Sequence, residues 1–208
     1  MWREVAGGGV MGARGTGAFR LVTGVRFDVA VPDAARIDPH AVGHALALEN
    51  RYGGHVPYPY SVAEHSVRVA RLVPAGLRRA ALLHDAHEGL GLGDVIGPVK
   101  RLLPAAWKAL EAGIDDAVCD RFGLPRGALK HREIKRADLV MLRAEQRYLR
   151  GFGPHLGEGS EALDAEAAQL VGAFIPWSWA EARERWLRAL ADTGVTGIDP
   201  KWSPARVV

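Results

Sequence analysis

The stretch ALLHDAHEGLGL (Ala81–Leu92) begins as a buried helix and then departs from that pattern. Leu82 and Leu83 belong in an apolar core, yet His84, Asp85, His87 and Glu88 follow directly. Burying ionisable groups is costly unless a metal or a paired charge compensates them, so the segment requires a partner. Upstream, Leu77, Ala80 and Ala81 lead at helical spacing to His84 and Glu88, with Asp85 beside them. A helix over 75–88 would carry all three polar groups on its inward face.

Two other segments share this feature. SVAEHSVRVARLV opens with a Ser61 to Glu64 capping box and runs as a helix. Its inward stripe is Val62, Ser66, Val69 and Val73, and His65 falls on it. The helix expected over 129–149 has a stripe of Ile134, Ala137, Met141, Ala144 and Tyr148, with Asp138 inside it. A single buried His or Asp is usually satisfied by a backbone group. Two His and two Asp converging from three helices instead make a set of four nitrogen and oxygen ligands, suited to Zn, Mn, Co or Fe. One divalent transition ion per chain is expected.

The rest of the chain gives an all-α domain with a short β element near the N-terminus. Val22, Val25, Phe27 and Val29 alternate around Gly24 as a strand or hairpin should. Asp38 caps a helix with proline in its first turn, and further helices are expected over 104–122, 164–173 and 178–192. With 208 residues, 48% of them apolar, one core suffices. Residues 1–17 are glycine-rich and read as a flexible leader, 18–195 as the domain and 196–208 as a C-terminal tail.

The 27 basic and 24 acidic residues nearly balance, so composition gives no case for nucleic-acid binding. The run from Arg126 to Arg150 carries eight Lys/Arg against three acids and reads mostly as a solvated helix face. No apolar run is long enough to span a membrane. The single cysteine, Cys119, excludes an intrachain disulfide and a thiolate-rich metal site, and fits a cytoplasmic setting. Walker and Rossmann fingerprints are absent.

His65, the His84–Asp85 pair and the distant Asp138 resemble the H…HD…D pattern of the HD-domain metal-dependent phosphohydrolases. The surrounding text, NRYGGHVPYPYSVAEHS, LLHDAHE, GDVIGPVKRLLP and IPWSWAEARERWL, is similar to small bacterial and phage members, among them 5′-deoxynucleotidases and phage dATP triphosphohydrolases. The likeness runs from about 19 to 191.

The resemblance implies an HD-type helical bundle that hydrolyses a small-molecule (deoxy)nucleotide by attack of metal-activated water on phosphorus. His65, His84, Asp85 and Asp138 match the metal ligands, with Asp85 also facing the attacking water. Glu88 matches the glutamate that positions that water, and Arg51 an arginine on the phosphate. Tyr52 stands where an aromatic stacks on the nucleoside, Asp94 where an aspartate meets the sugar, and Lys100 in the same substrate-binding stretch. Here Glu88 and Asp94 lie six positions apart rather than five, and Ile96 replaces a proline. A bulge that absorbs the extra residue among Gly89, Gly91 and Gly93 would keep Asp94 in place.

His55 and His87 are placed near the substrate. His40, His44, His131 and His155, with no partners in register, are read as solvent-facing or capping. Two rival readings stay open: a nucleotide-sensing binding module and a nucleic-acid phosphodiesterase, the latter requiring salt-dependent oligonucleotide binding through the Arg126 to Arg150 face. On the preferred reading neither a membrane nor a nucleic acid is a partner. Homo-oligomerisation is left open, as is the choice between monophosphate and triphosphate substrates.

Overall fold

The computed structural model describes residues 17–149, 161–170 and 174–204. The leader up to residue 16, His155 and the last turn expected near residue 173 lie outside them. Among the described residues the regular structure is helical apart from one hairpin, β1 (Ala18–Arg20) and β2 (Arg26–Asp28), antiparallel with Phe19 opposite Phe27. Gly24 takes a positive φ in the connecting turn, as its place between the two apolar runs anticipates.

The helices are α1 (Pro39–Leu48), α2 (Val62–Arg71), α3 (Arg78–Leu83), α4 (Gly97–Lys100), α5 (Ala105–Phe122), α6 (Arg132–Tyr148), α7 (Glu161–Ala168) and α8 (Trp179–Asp192). Their N-termini follow side-chain chemistry. Asp38 accepts from His40 N, Ser61 from Glu64 N and Ser178 from Glu181 N, which satisfies backbone donors that a helix start leaves free. His131 caps α6 in the same way, accepting from Glu133 N.

Helix α2 lies at the centre, packed against α1, α3, α6 and α8. The sequence suggests a one-sided stripe there, but every residue from Val62 to Ala70 is buried. Glu64 and Arg68, on the expected outer face, are covered by the segment leading into α8. Trp177 N donates to Glu64 Oε2 at 2.9 Å, and the Arg68 guanidinium lies over the rings of Phe174 and Trp177. Glu64 therefore does not complete the capping box; its carboxylate is committed to Arg68 and Trp177 instead. Where α1 meets α8, a Cβ on Gly43 would stand 2.8 Å from the Trp186 ring, so only glycine permits that approach.

Two boundaries differ from expectation. The helix expected over 75–88 ends at Leu83, and the chain turns at His84–Asp85 before a π-type turn over Glu88–Leu92. The helix expected from Leu129 begins at Arg132, after a short 3-10 turn over Ala128–Lys130. His40 and His44 are also not free on the surface. His40 Nε2 accepts from Asp199 N at 3.0 Å, and both imidazoles pack against Trp202 of the C-terminal segment. Those partners are far away in sequence, so spacing could not reveal them.

Candidate metal and phosphate site

The site is built where α2, the turn after α3 and α6 converge. A short backbone bridge, Asn50 to Ser61, joins the end of α1 to the start of α2, with Arg51 N donating to Tyr60 O at 2.9 Å. This closes the loop 51–60 at its base and turns Arg51 inward. Within the loop Tyr52 has φ +62°, followed by Gly53 and Gly54 at φ +59° and +80°. A left-handed tyrosine is strained, and such strain persists only where its surroundings hold it. Here Asp94 Oδ2 accepts from Tyr52 N at 2.7 Å, and the Tyr52 hydroxyl donates to Glu145 Oε2 at 2.5 Å.

His65 and His84 face each other with ring centroids 5.5 Å apart. His65 Nδ1 donates to Glu145 Oε1 at 2.6 Å, and His84 Nδ1 to Ala81 O at 2.7 Å. Both Nε2 atoms are buried and make no hydrogen bond. His65 Nε2 stands 3.1 Å from Asp138 Oδ1 and 3.8 Å from Asp85 Oδ2; His84 Nε2 stands 3.2 Å from Asp85 Oδ2. Such separations suit donors sharing an ion with bonds of about 2.0–2.2 Å. The Nδ1 partners hold each ring with Nε2 directed into the cluster, the usual support for a metal-bound imidazole. Donor chemistry, convergence and orphaned nitrogens together fit a divalent ion.

Glu145, which sequence reading does not single out, is the hub behind this cluster. It is fully buried, and it accepts from Arg51 Nε (3.2 Å), Tyr52 and His65, and from the Tyr60 hydroxyl at 2.9 Å. Burial raises its pKa, but Arg51 and His65 outweigh that and hold the carboxyl at about 2. For His65, burial and Arg51 oppose protonation, yet Glu145 and Asp138 prevail and raise the imidazole to about 9. Without an ion, the site thus recruits a proton. Metal binding must displace it, together with the proton on His84, whose pKa burial lowers but Asp85 raises on balance, so affinity should rise at least about tenfold per pH unit up to about 9 and level off above. Calorimetric titration across pH checks this; a flat profile would remove His65 from the ligands.

The other expected site residues are placed as follows. Arg51 is buried; Nε is bound to Glu145 and Nη1 lies 3.7 Å from Asp85 Oδ2, which joins this arginine to the cluster. Glu88 is buried with Oε2 unpartnered, and burial, Asp85 and Asp94 together push its carboxyl well above the usual range. Lys100 Nζ lies 3.5 Å from Glu111. Burial lowers its pKa, but Glu111, Glu88 and Asp85 raise it on balance. Between Glu88 and Asp94 the chain makes a π-type turn: Gly93 N donates to Glu88 O, and Gly91 takes φ +108°. His55 is exposed. His87, placed near the substrate, is instead buried, with Nδ1 donating to Asp115 Oδ1 at 3.0 Å.

Beside the cluster opens a cavity of about 590 Å³ whose walls include Arg51, Tyr52, His55, Asp94, Pro98 and Arg101. That volume is typical of a small-molecule site. Two imidazoles and two carboxylates, from α2, the turn after α3 and α6, thus stand next to a cleft whose walls carry Arg51 and Arg101.

No family model matches the chain. An uncharacterized protein of Rhodobacter capsulatus, RCAP_rcc00048, is 39% identical over 164 residues, covering 74% of this chain and 78% of its own length. YfdR, an uncharacterized protein of Escherichia coli K12, is 41% identical over 107 residues, covering 50% of this chain and 58% of its own length. The chain belongs to the family of the Rhodobacter protein. No described helix is long and apolar enough to cross a membrane.

Proposed function

We propose that the chain is a cytoplasmic HD-type phosphohydrolase that uses a divalent ion at His65, His84, Asp85 and Asp138 to hydrolyse a nucleotide, with deoxynucleotides preferred. The observation that carries this is the pair of buried Nε2 atoms without hydrogen bonds, aimed at two carboxylates beside a cavity lined by Arg51. When bound, the ion supplies Lewis-acid charge that polarises a phosphoryl oxygen and acidifies water.

The chain's own groups complete the chemistry. Arg51 offers a charge-assisted donor to phosphate oxygens from a position fixed by Glu145. Glu88, its carboxyl pushed up by burial, Asp85 and Asp94, positions the water that attacks phosphorus. Asp94, held at the cavity wall by Tyr52 N, meets the sugar. The Tyr52 ring, with the Arg51 guanidinium over it at 5.3 Å, stands at the cavity wall where the nucleoside binds.

The test is to incubate metal-loaded protein with nucleoside mono-, di- and triphosphates and identify the product. Orthophosphate or tripolyphosphate release would distinguish monophosphatase from triphosphohydrolase. Tight nucleotide binding without product would leave a sensing module. Glu88→Ala is expected to keep the fold and the ion at His65 and His84 while turnover falls by roughly two to four orders of magnitude. Asp94→Ala should raise KM for deoxynucleotides and erode deoxy-over-ribo selectivity. If both stay unchanged, Asp94 serves only to brace the Tyr52 loop.

A further inference from the structure

The imidazole of His87 repeats the arrangement of the two histidines already assigned to the metal. In all three, Nδ1 donates to a fixed acceptor: Glu145 for His65, Ala81 O for His84 and Asp115 for His87. In all three, Nε2 is buried and makes no hydrogen bond. A neutral imidazole that has given its Nδ1 proton to a carboxylate presents a lone pair at Nε2, and a buried lone pair left unused is costly. His87 is 4% exposed and Glu88 6%, and Glu88 Oε2 is orphaned too. Ligand atoms of Asp85, His87 and Glu88 all lie within 4.8 Å of one another, as do those of His65, His84 and Asp138.

We propose that Asp85, His87 and Glu88 hold a second divalent cation beside the first, with the Asp85 carboxylate shared between the two. This rests on reading His65, His84 and Asp138 as metal ligands. One imidazole nitrogen and two carboxylates suit a hard or borderline ion such as Mn²⁺.

His87 also lies within 4.8 Å of Glu111 and Asp115, but that side does not suit a cation. Its Nδ1 face is occupied by Asp115, and the carboxylates already carry ammonium partners: Lys130 on Asp115 at 3.1 Å and Lys100 on Glu111 at 3.5 Å. Arg51 is bound to Glu145 through Nε, and its Nη1 lies 3.7 Å from Asp85 Oδ2. The Glu111 and Asp115 charges are thus already met, which leaves the Asp85 side for an ion. Paired ions would grip a phosphate from both sides, which gives the buried His87–Asp115 pair a purpose that a single-ion site does not.

The test is equilibrium dialysis of metal-stripped protein against MnCl₂, with bound manganese counted by mass spectrometry and spin coupling followed by electron paramagnetic resonance. Two ions per chain at saturation, with a coupled signal, are expected. His87→Asn and Glu88→Gln should each reduce the count to one and abolish the coupling. Asp115→Asn, which leaves every ligand in place, should weaken the second ion by about 10- to 100-fold, and this keeps the test open should His87→Asn fail to fold. One ion at saturation, or two retained in folded His87→Asn, would overturn the proposal. Two ions without nucleotide turnover would support it and remove the phosphohydrolase reading, whereas turnover with one ion would do the reverse.

Discussion

His84→Ala is expected to lose the ion at the first site and to reduce nucleotide hydrolysis to background. The side chain is held by Ala81 O, and its Nε2 makes no other bond, so removing it takes away one donor of four and leaves Asp85 with less compensation. A site with open positions for water and phosphate cannot spare a protein ligand. Asp138→Ala should behave alike, since Asp138 supplies the carboxylate nearest His65 Nε2. Metal analysis after gel filtration, together with circular dichroism to confirm helix content, checks both. Full metal content in either variant would remove that residue from the ligand set.

Glu145→Ala should be the most destabilising single substitution in this region. Its carboxylate satisfies a buried guanidinium, a buried imidazole and two phenol hydroxyls. Taking it away leaves Arg51 buried with only the longer 3.7 Å contact to Asp85, and breaking a buried ion pair in this way typically costs about 3–5 kcal/mol. Since the same carboxylate orients His65, metal affinity should fall about 10- to 100-fold in whatever protein still folds. Urea unfolding measures the first effect and metal titration the second.

The sign of the pH dependence follows from the depressed carboxyl. Glu145 falls from an ordinary 4.5 to about 2 on folding, so its contribution is complete above 4.5 and is lost as the pH drops through 2. At about 1.4 kcal/mol per unit, this amounts to something on the order of 3 kcal/mol. The wild type should thus lose stability over that acid range more steeply than Glu145→Gln, which carries no such group.

How far the site was legible depended on where each residue stood relative to an apolar stripe. His65, His84 and Asp138 interrupt runs of Val, Leu and Ala, and an ionisable group inside such a run signals a partner. Glu145 escaped because it lies in the charged text RAEQR, which reads as a solvated face. Its position seven residues beyond Asp138 and four beyond Met141 nevertheless puts it on the same helix face, and that spacing was the available signal. His87 was visible as a neighbour of the site but not as a buried one, because Asp115, its partner, comes from α5.

The fold was legible in its helix starts and less so in its interruptions. Asp38, Ser61 and Ser178 announce α1, α2 and α8 through a local capping bond that sequence displays directly. The end of α3 at Leu83 has no such marker. Periodicity continues through His84 to Glu88, and only the glycines of EGLGLG hint that the backbone leaves the helical path. The depth of α2 was likewise hidden, since Glu64 and Arg68 are buried by residues more than a hundred positions away.

The most direct measurement of the central claim is anomalous diffraction from crystals grown with Mn²⁺, recorded at an energy where manganese scatters strongly. The account predicts a peak bonded to His65 Nε2, His84 Nε2, Asp85 and Asp138. No peak among those four side chains, or manganese bound elsewhere on the chain instead, would contradict it.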